Sequence, residues 1–181
     1  MDLLLAFAPF LSFALLERSI GAHGALLIAT LVAGLLVARD RLLRHKSLKL
    51  LEVGSLILFG ALTLATRFSQ FNPSVLAVRL WVDGGLFVIV AGSILVGHPF
   101  SLQYARERVS AEIAATPRFR SINLRISAAW ALAFAVIVVA DVAMLRLSWF
   151  TPVIGTFVIL GVLGAALWFT TWLPKSARRV V

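Results

Sequence analysis

Apolar residues run along this chain in six long blocks, approximately residues 3–16, 20–38, 48–66, 76–97, 122–145 and 148–173, with short polar gaps between them. The hydrocarbon core of a bilayer is about 30 Å thick, so a helix needs about 20 apolar residues to cross it. The pattern predicts an all-α polytopic membrane protein, a bundle of six transmembrane helices forming a single domain over residues 1–181. The last block is the plainest, because no charged residue stands between Leu147 and Pro174. The first is short and carries Pro9 near its middle. A proline removes a backbone donor and kinks a helix. Neighbouring helices can satisfy the freed carbonyl, so a span is still expected there. Asn72-Pro73 marks a turn between the third and fourth spans.

One gap is longer than the rest. Between His98 and Ser121, Leu102, Ala105, Val109 and Ile113 recur at helical spacing, with Arg106, Arg108 and Glu112 elsewhere on the wheel. Pro99 precedes this stretch and Pro117 follows it. The pattern predicts an amphipathic helix over about 100–115, either lying on the headgroups or docking a partner. Its candidate contact residues are Leu102, Tyr104, Arg106, Arg108, Val109 and Ile113.

Composition sharpens this picture. Hydrophobic residues make up 61% of 181 positions and charged ones 14%, against roughly a quarter charged in soluble domains. Six spans leave no room for a separate soluble domain. The formal net charge of +9 would suggest nucleic acid in a soluble protein, but here the basic residues stand in short loops. Anionic lipid headgroups and the positive-inside rule account for them, and no nucleic-acid partner is expected. Arg39, Arg41, Arg44, Lys46 and Lys49 follow the second block, Arg106, Arg108, Arg118 and Arg120 follow the fourth, and Lys175, Arg178 and Arg179 close the chain. The opposite side holds only Arg18, Arg67, Arg79 and Arg146, while Arg125 lies just inside the fifth block. This bias puts both termini in the cytoplasm. It also puts Trp81 and Trp149 near the outer interface and Trp168 and Trp172 near the inner one, as an aromatic belt requires. The N-terminus has Asp2 and no basic run before its apolar block, so that block is expected to be retained rather than cleaved. With no cysteine there is no disulfide, thiolate metal site or cysteine nucleophile.

An ionisable residue inside a span is costly and is a functional candidate by default. Glu52 has Lys49 one turn away, which predicts an interfacial ion pair. Asp83 has Arg79 four residues before it, which allows a local pair. Asp141 has no basic residue three or four positions away. At 1.5 Å per residue, Asp141 lies roughly 7 Å and Asp83 about 10 Å below the outer ends of their spans. Both sit under a rim of Glu17, Arg18, Arg67, Arg79 and Arg146. This polar cluster has two readings. One is interhelical ion pairing, with Asp141 meeting Arg79 or Arg67. The other is an outward-facing cavity that holds a cation, a proton or a polar ligand. His23, His45 and His98 do not face one another inside the bundle, so no haem, metal or other cofactor is expected. No catalytic triad or phosphate-binding glycine loop is present either, and no enzyme is expected. Ser127, Ala131 and Ala135, and likewise Gly161 with Ala165, form small-residue stripes suited to close helix packing or to a homo-oligomer interface.

The opening LLLAFAPFLSFALLERSIGAHGALLIATLVAGLLVA, the mid-chain GHPFSLQYARE and the following SINLRISAAWALAFAVIVVADV together resemble the intracellular septation protein A family of bacterial inner-membrane proteins. GHPFSLQYARE is the most specific of these pieces, and the arginine-rich segment after it is longer than the family pattern. The resemblance implies a bacterial inner-membrane location and a non-enzymatic role in envelope integrity or division, through contact with other membrane proteins and with lipids. It supplies no catalytic residues. A small transporter or channel built on the cluster around Asp83 and Asp141 is the alternative.

Overall fold

The computed structural model describes residues 2–43, 47–68 and 73–178. Arg44, His45, Lys46, Asn72 and Arg179, which the sequence singled out, lie outside the described residues. Among the described residues the chain is helical and contains no strand: α1 (Asp2–Leu5), α2 (Ala8–Ala38), α3 (Leu50–Phe68), α4 (Val75–Leu95), α5 (Phe100–Arg106), α6 (Ala111–Ala114), α7 (Pro117–Arg146) and α8 (Pro152–Arg178). A π-helical turn, Arg39–Leu43, extends α2. Among the described residues five segments are long and apolar enough to cross a membrane: Ala8–Leu42, Leu50–Phe68, Val75–Leu95, Pro117–Arg146 and Pro152–Lys175.

The first two expected blocks, 3–16 and 20–38, fall largely on α2 and become two arms of one interrupted helix. Glu17 and Arg18, at the polar gap, are good helix formers and do not end it. The interruption falls instead at Gly21, whose φ of 78° and ψ of 166° are non-helical. That region of backbone space is essentially open to glycine alone. The later helix starts follow ordinary capping. Thr116 Oγ1 accepts a hydrogen bond from Phe119 N at 3.3 Å, with Pro117 at the first helical position. Thr151 Oγ1 accepts from Ile154 N at 3.4 Å ahead of α8 in the same way.

The chain folds as two compact units, Met1–Ile89 and Val90–Val181. In the first, Ala25, Ala29 and Ala33 are buried at four-residue spacing on α2, and small residues let helices approach closely in lipid. Thr30 and Thr63 bring their hydroxyls to 2.9 Å across α2 and α3. Phe10 and Phe13 of α2 pack on Phe59 of α3, with ring centroids 4.9 and 6.2 Å apart. In the second unit, α7 and α8 are joined by Trp130 Nε1 donating to Thr170 Oγ1 at 2.9 Å. Lipid tails are as apolar as these side chains, so packing and such polar ties, about 0.6 kcal/mol each, hold the helices together. Large apolar residues such as Leu15, Leu35, Leu95 and Phe157 are exposed along the helices.

The amphipathic helix expected over 100–115 is corrected in its continuity and its surroundings. It is two short helices, α5 and α6, separated by a turn. Leu102 and Tyr104 are buried, Val109 is half-buried, and only Arg106, Arg108 and Ile113 are exposed. Their periodicity reflects burial in protein at α5, and a helical wheel does not distinguish that from burial in lipid.

Candidate polar sites

The first polar site lies in the first unit. Glu17 stands on α2 one turn before the break at Gly21, while Arg79 and Asp83 stand one turn apart on α4. Arg79 Nη1 lies 3.6 Å from Glu17 Oε1, and Arg79 Nε lies 3.7 Å from Asp83 Oδ2. One guanidinium is therefore divided between two carboxyl groups. Both distances exceed the 2.7–2.9 Å of a strong charge-assisted hydrogen bond. Glu17 is only 4% exposed, and its Oε2 has no hydrogen-bond partner among the described residues. Of the other expected members, Arg18 and Arg67 are exposed in the same unit. Asp141 and Arg146 belong to the second unit, Asp141 fully buried on α7 and Arg146 exposed at its end.

A second site escaped the sequence reading in part. Asp40, in the π turn, is fully buried and accepts from Lys49 Nζ at 2.9 Å and from Arg39 Nε at 2.8 Å. Lys49 Nζ also lies 3.5 Å from Glu52 Oε1, the pair expected from spacing. Buried charges of this kind survive only when paired, and here the pairing ties the start of α3 to the end of α2. Asp40 was not among the candidates. Its one signal was to be the sole acid between Arg39 and Lys49.

The third site surrounds the sequence GHPFSLQYARE. Gly97, at φ 73°, turns the chain after α4, and Ser93 Oγ accepts from Phe100 N at 3.1 Å. Ser101 Oγ donates to Asn123 O at 2.8 Å, and Ser101 N donates to Ser127 Oγ at 3.3 Å. Ser93, Ser101, Asn123 and Ser127 are all buried. Ser127 was expected as a packing residue and is also a hydrogen-bond partner. Nothing in the sequence showed that Ser93 and Asn123 would join it, because each meets α5 only once the chain has turned at Gly97.

These arrangements differ in what they can do. The serine network ties one backbone segment to another. The Asp40 site joins two helices by charge. The Glu17 site presents a buried carboxyl oxygen that no donor reaches among the described residues, and its one guanidinium is shared with a second acid. No group of three or more histidine, aspartate or glutamate residues suited to a metal ion occurs among the described residues. Comparison of the chain with protein-family models, with curated proteins and with solved structures finds no match in any of the three.

Proposed function

We propose that this is a non-enzymatic bacterial inner-membrane protein that serves envelope integrity or division by contacting other membrane proteins and anionic lipids. The observation that carries this reading is the placement of GHPFSLQYARE, the stretch on which the family resemblance chiefly rests. Its Phe100, Ser101, Leu102 and Tyr104 are buried, and its polar atoms tie α5 to Asn123 and Ser127 of α7. An architectural motif of this kind suits a protein that works by shape and contact. Arg106, Arg108, Arg118 and Arg120 are exposed around it and suit acidic partners or headgroups. Cross-linking in intact cells followed by mild-detergent purification is the test. Wild type is expected to retain division or envelope membrane proteins, with their recovery lost in Arg106→Glu/Arg108→Glu at unchanged yield. Recovery of none, or equal recovery by the variant, counts against the reading.

The topology proposed with it has six crossings and both termini in the cytoplasm. Residues 2–20, at 1.5 Å per residue, measure about 28 Å, close to the hydrocarbon thickness. The short helices α5 and α6 then lie at the cytoplasmic surface. A second reading, transport of a small cation or polar solute, is favoured by the helix break at Gly21 beside buried Glu17. Discontinuous spans line binding sites in several transporter folds. Ion flux into proteoliposomes that is lost in Glu17→Gln is its test.

A further inference from the structure

We propose that Glu17, together with Arg79 and Asp83, forms a binding site for one small positive charge, a proton or an alkali-metal ion, inside the first helical unit. The inference stands apart from the contact reading and deepens the transport reading by naming its ligand.

Three observations carry it. Glu17 is withdrawn from its surroundings, with 4% of its surface exposed, and its Oε2 meets no donor among the described residues. A buried acceptor left without a donor costs about 1–3 kcal/mol, more when charged, and a bound proton or cation removes that cost. The ion pair to Glu17 among the described residues is long, 3.6 Å to Arg79 Nη1, and the same guanidinium is 3.7 Å from Asp83. Arg79 thus has two nearly equidistant acids and can close on either one. When Glu17 is neutralised, Arg79 is released towards Asp83. Finally, Glu17 occupies the last turn of the first arm of α2, ahead of Gly21. The end of a helix carries a partial negative charge, which disfavours an anionic side chain there and favours a cation. The charged groups facing Glu17 among the described residues are Arg79 and Asp83 on α4 and Arg18 on its own helix. Arg18 is exposed to its surroundings, whereas Arg79 is 20% exposed and pairs with both acids, which makes Arg79 the shared counter-charge.

Dicyclohexylcarbodiimide, which reacts with protonated carboxyl groups in apolar surroundings, provides the test on the full-length wild-type protein in detergent. Labelled peptides are mapped by mass spectrometry over a pH series, in sodium chloride and in choline chloride. The expected result is modification at Glu17 that is lost as pH rises. Loss with pH alone identifies a proton, and further loss in sodium over choline identifies an alkali-metal ion. Absence of labelling at Glu17 at every pH, or labelling indifferent to pH and to sodium, overturns the proposal. Thermal unfolding adds an independent readout. The melting temperature of wild type is expected to shift with pH or sodium, and Glu17→Gln is expected to abolish the shift; an equal shift in both proteins counts against the site. Ion-dependent labelling without flux in proteoliposomes upholds the site and removes the transport reading.

Discussion

At the scale of single residues, the separation in sequence decides what was legible. Arg79 with Asp83 and Lys49 with Glu52 are one helical turn apart, and each pair is present in the structure. Glu17 with Arg79 and Asp40 with Lys49 join different helices or turns, and no local pattern specifies them. Asp40 is the sharper case, because its full burial depends on the π turn that carries it inward. Lys49→Met removes its buried partner, leaves it the half-buried Arg39, and leaves two buried carboxylates with less compensation. The expected loss is about 3–5 kcal/mol of stability, as for other broken buried pairs, read as a lowered unfolding temperature in detergent. A loss below about 1 kcal/mol would place the pair among solvent-screened surface bridges. Ser101→Ala tests the neutral network in the same way. Losing the hydroxyl leaves Asn123 O and Ser127 Oγ short of a partner, and about 1–3 kcal/mol is expected, against none if water replaces it freely.

At the scale of elements, apolar blocks predicted helices well and their interruptions less well. The polar gap at residues 17–19 lies within a turn of the true break, yet charged residues did not make it; the glycine after them did. Gly21→Ala puts a Cβ where φ is 78° and ψ is 166°, at a cost of about 1–3 kcal/mol if the backbone is held. Straightening of α2 is the alternative to paying that strain. Spin labels at Leu11 and Leu31, both exposed on α2, report which occurs. In a straight helix their backbone positions would be about 30 Å apart, so the variant is expected to lengthen the wild-type distance towards that value. An unchanged distance at unchanged stability would mean that Gly21 does not set the break. The segment after α4 shows the converse limit. Its apolar positions were identified, but their partner was not, since lipid and protein interiors select the same side chains. Hydrogen exchange is expected to find α5 amides protected by its buried face and α6 amides exchanging rapidly, because no residue of α6 is buried.

At the scale of the whole molecule, the open quantity is parity. Five helices among the described residues satisfy the length and composition of a span, which would leave the termini on opposite sides of the membrane, whereas the six crossings proposed above return both to one side. Everything after Arg39 is the same in the two topologies, so the difference reduces to residues 2–20. These residues either cross the bilayer or begin and end on the same side of it. Phe59 bears on the choice. It sits at the middle of α3, Leu50–Phe68, and hence near the bilayer midplane if that helix spans. Phe10 and Phe13 pack directly on it, which carries the first arm of α2 to the same depth and excludes a purely superficial course for a spanning α3. From Phe10 back to Asp2 the chain can cover about another 12 Å as helix, most of the remaining half-thickness of about 15 Å. The natural chain has no cysteine, so single cysteines report sidedness without background. Trp149→Cys is expected to react with a membrane-impermeant maleimide in intact cells, and Arg118→Cys only after permeabilisation. Leu4→Cys is expected to behave as Arg118→Cys does. Reaction of Leu4→Cys in intact cells would establish five crossings, place the N-terminus outside, and make residues 2–20 a re-entrant segment that reverses ahead of the helix beginning at Ala8.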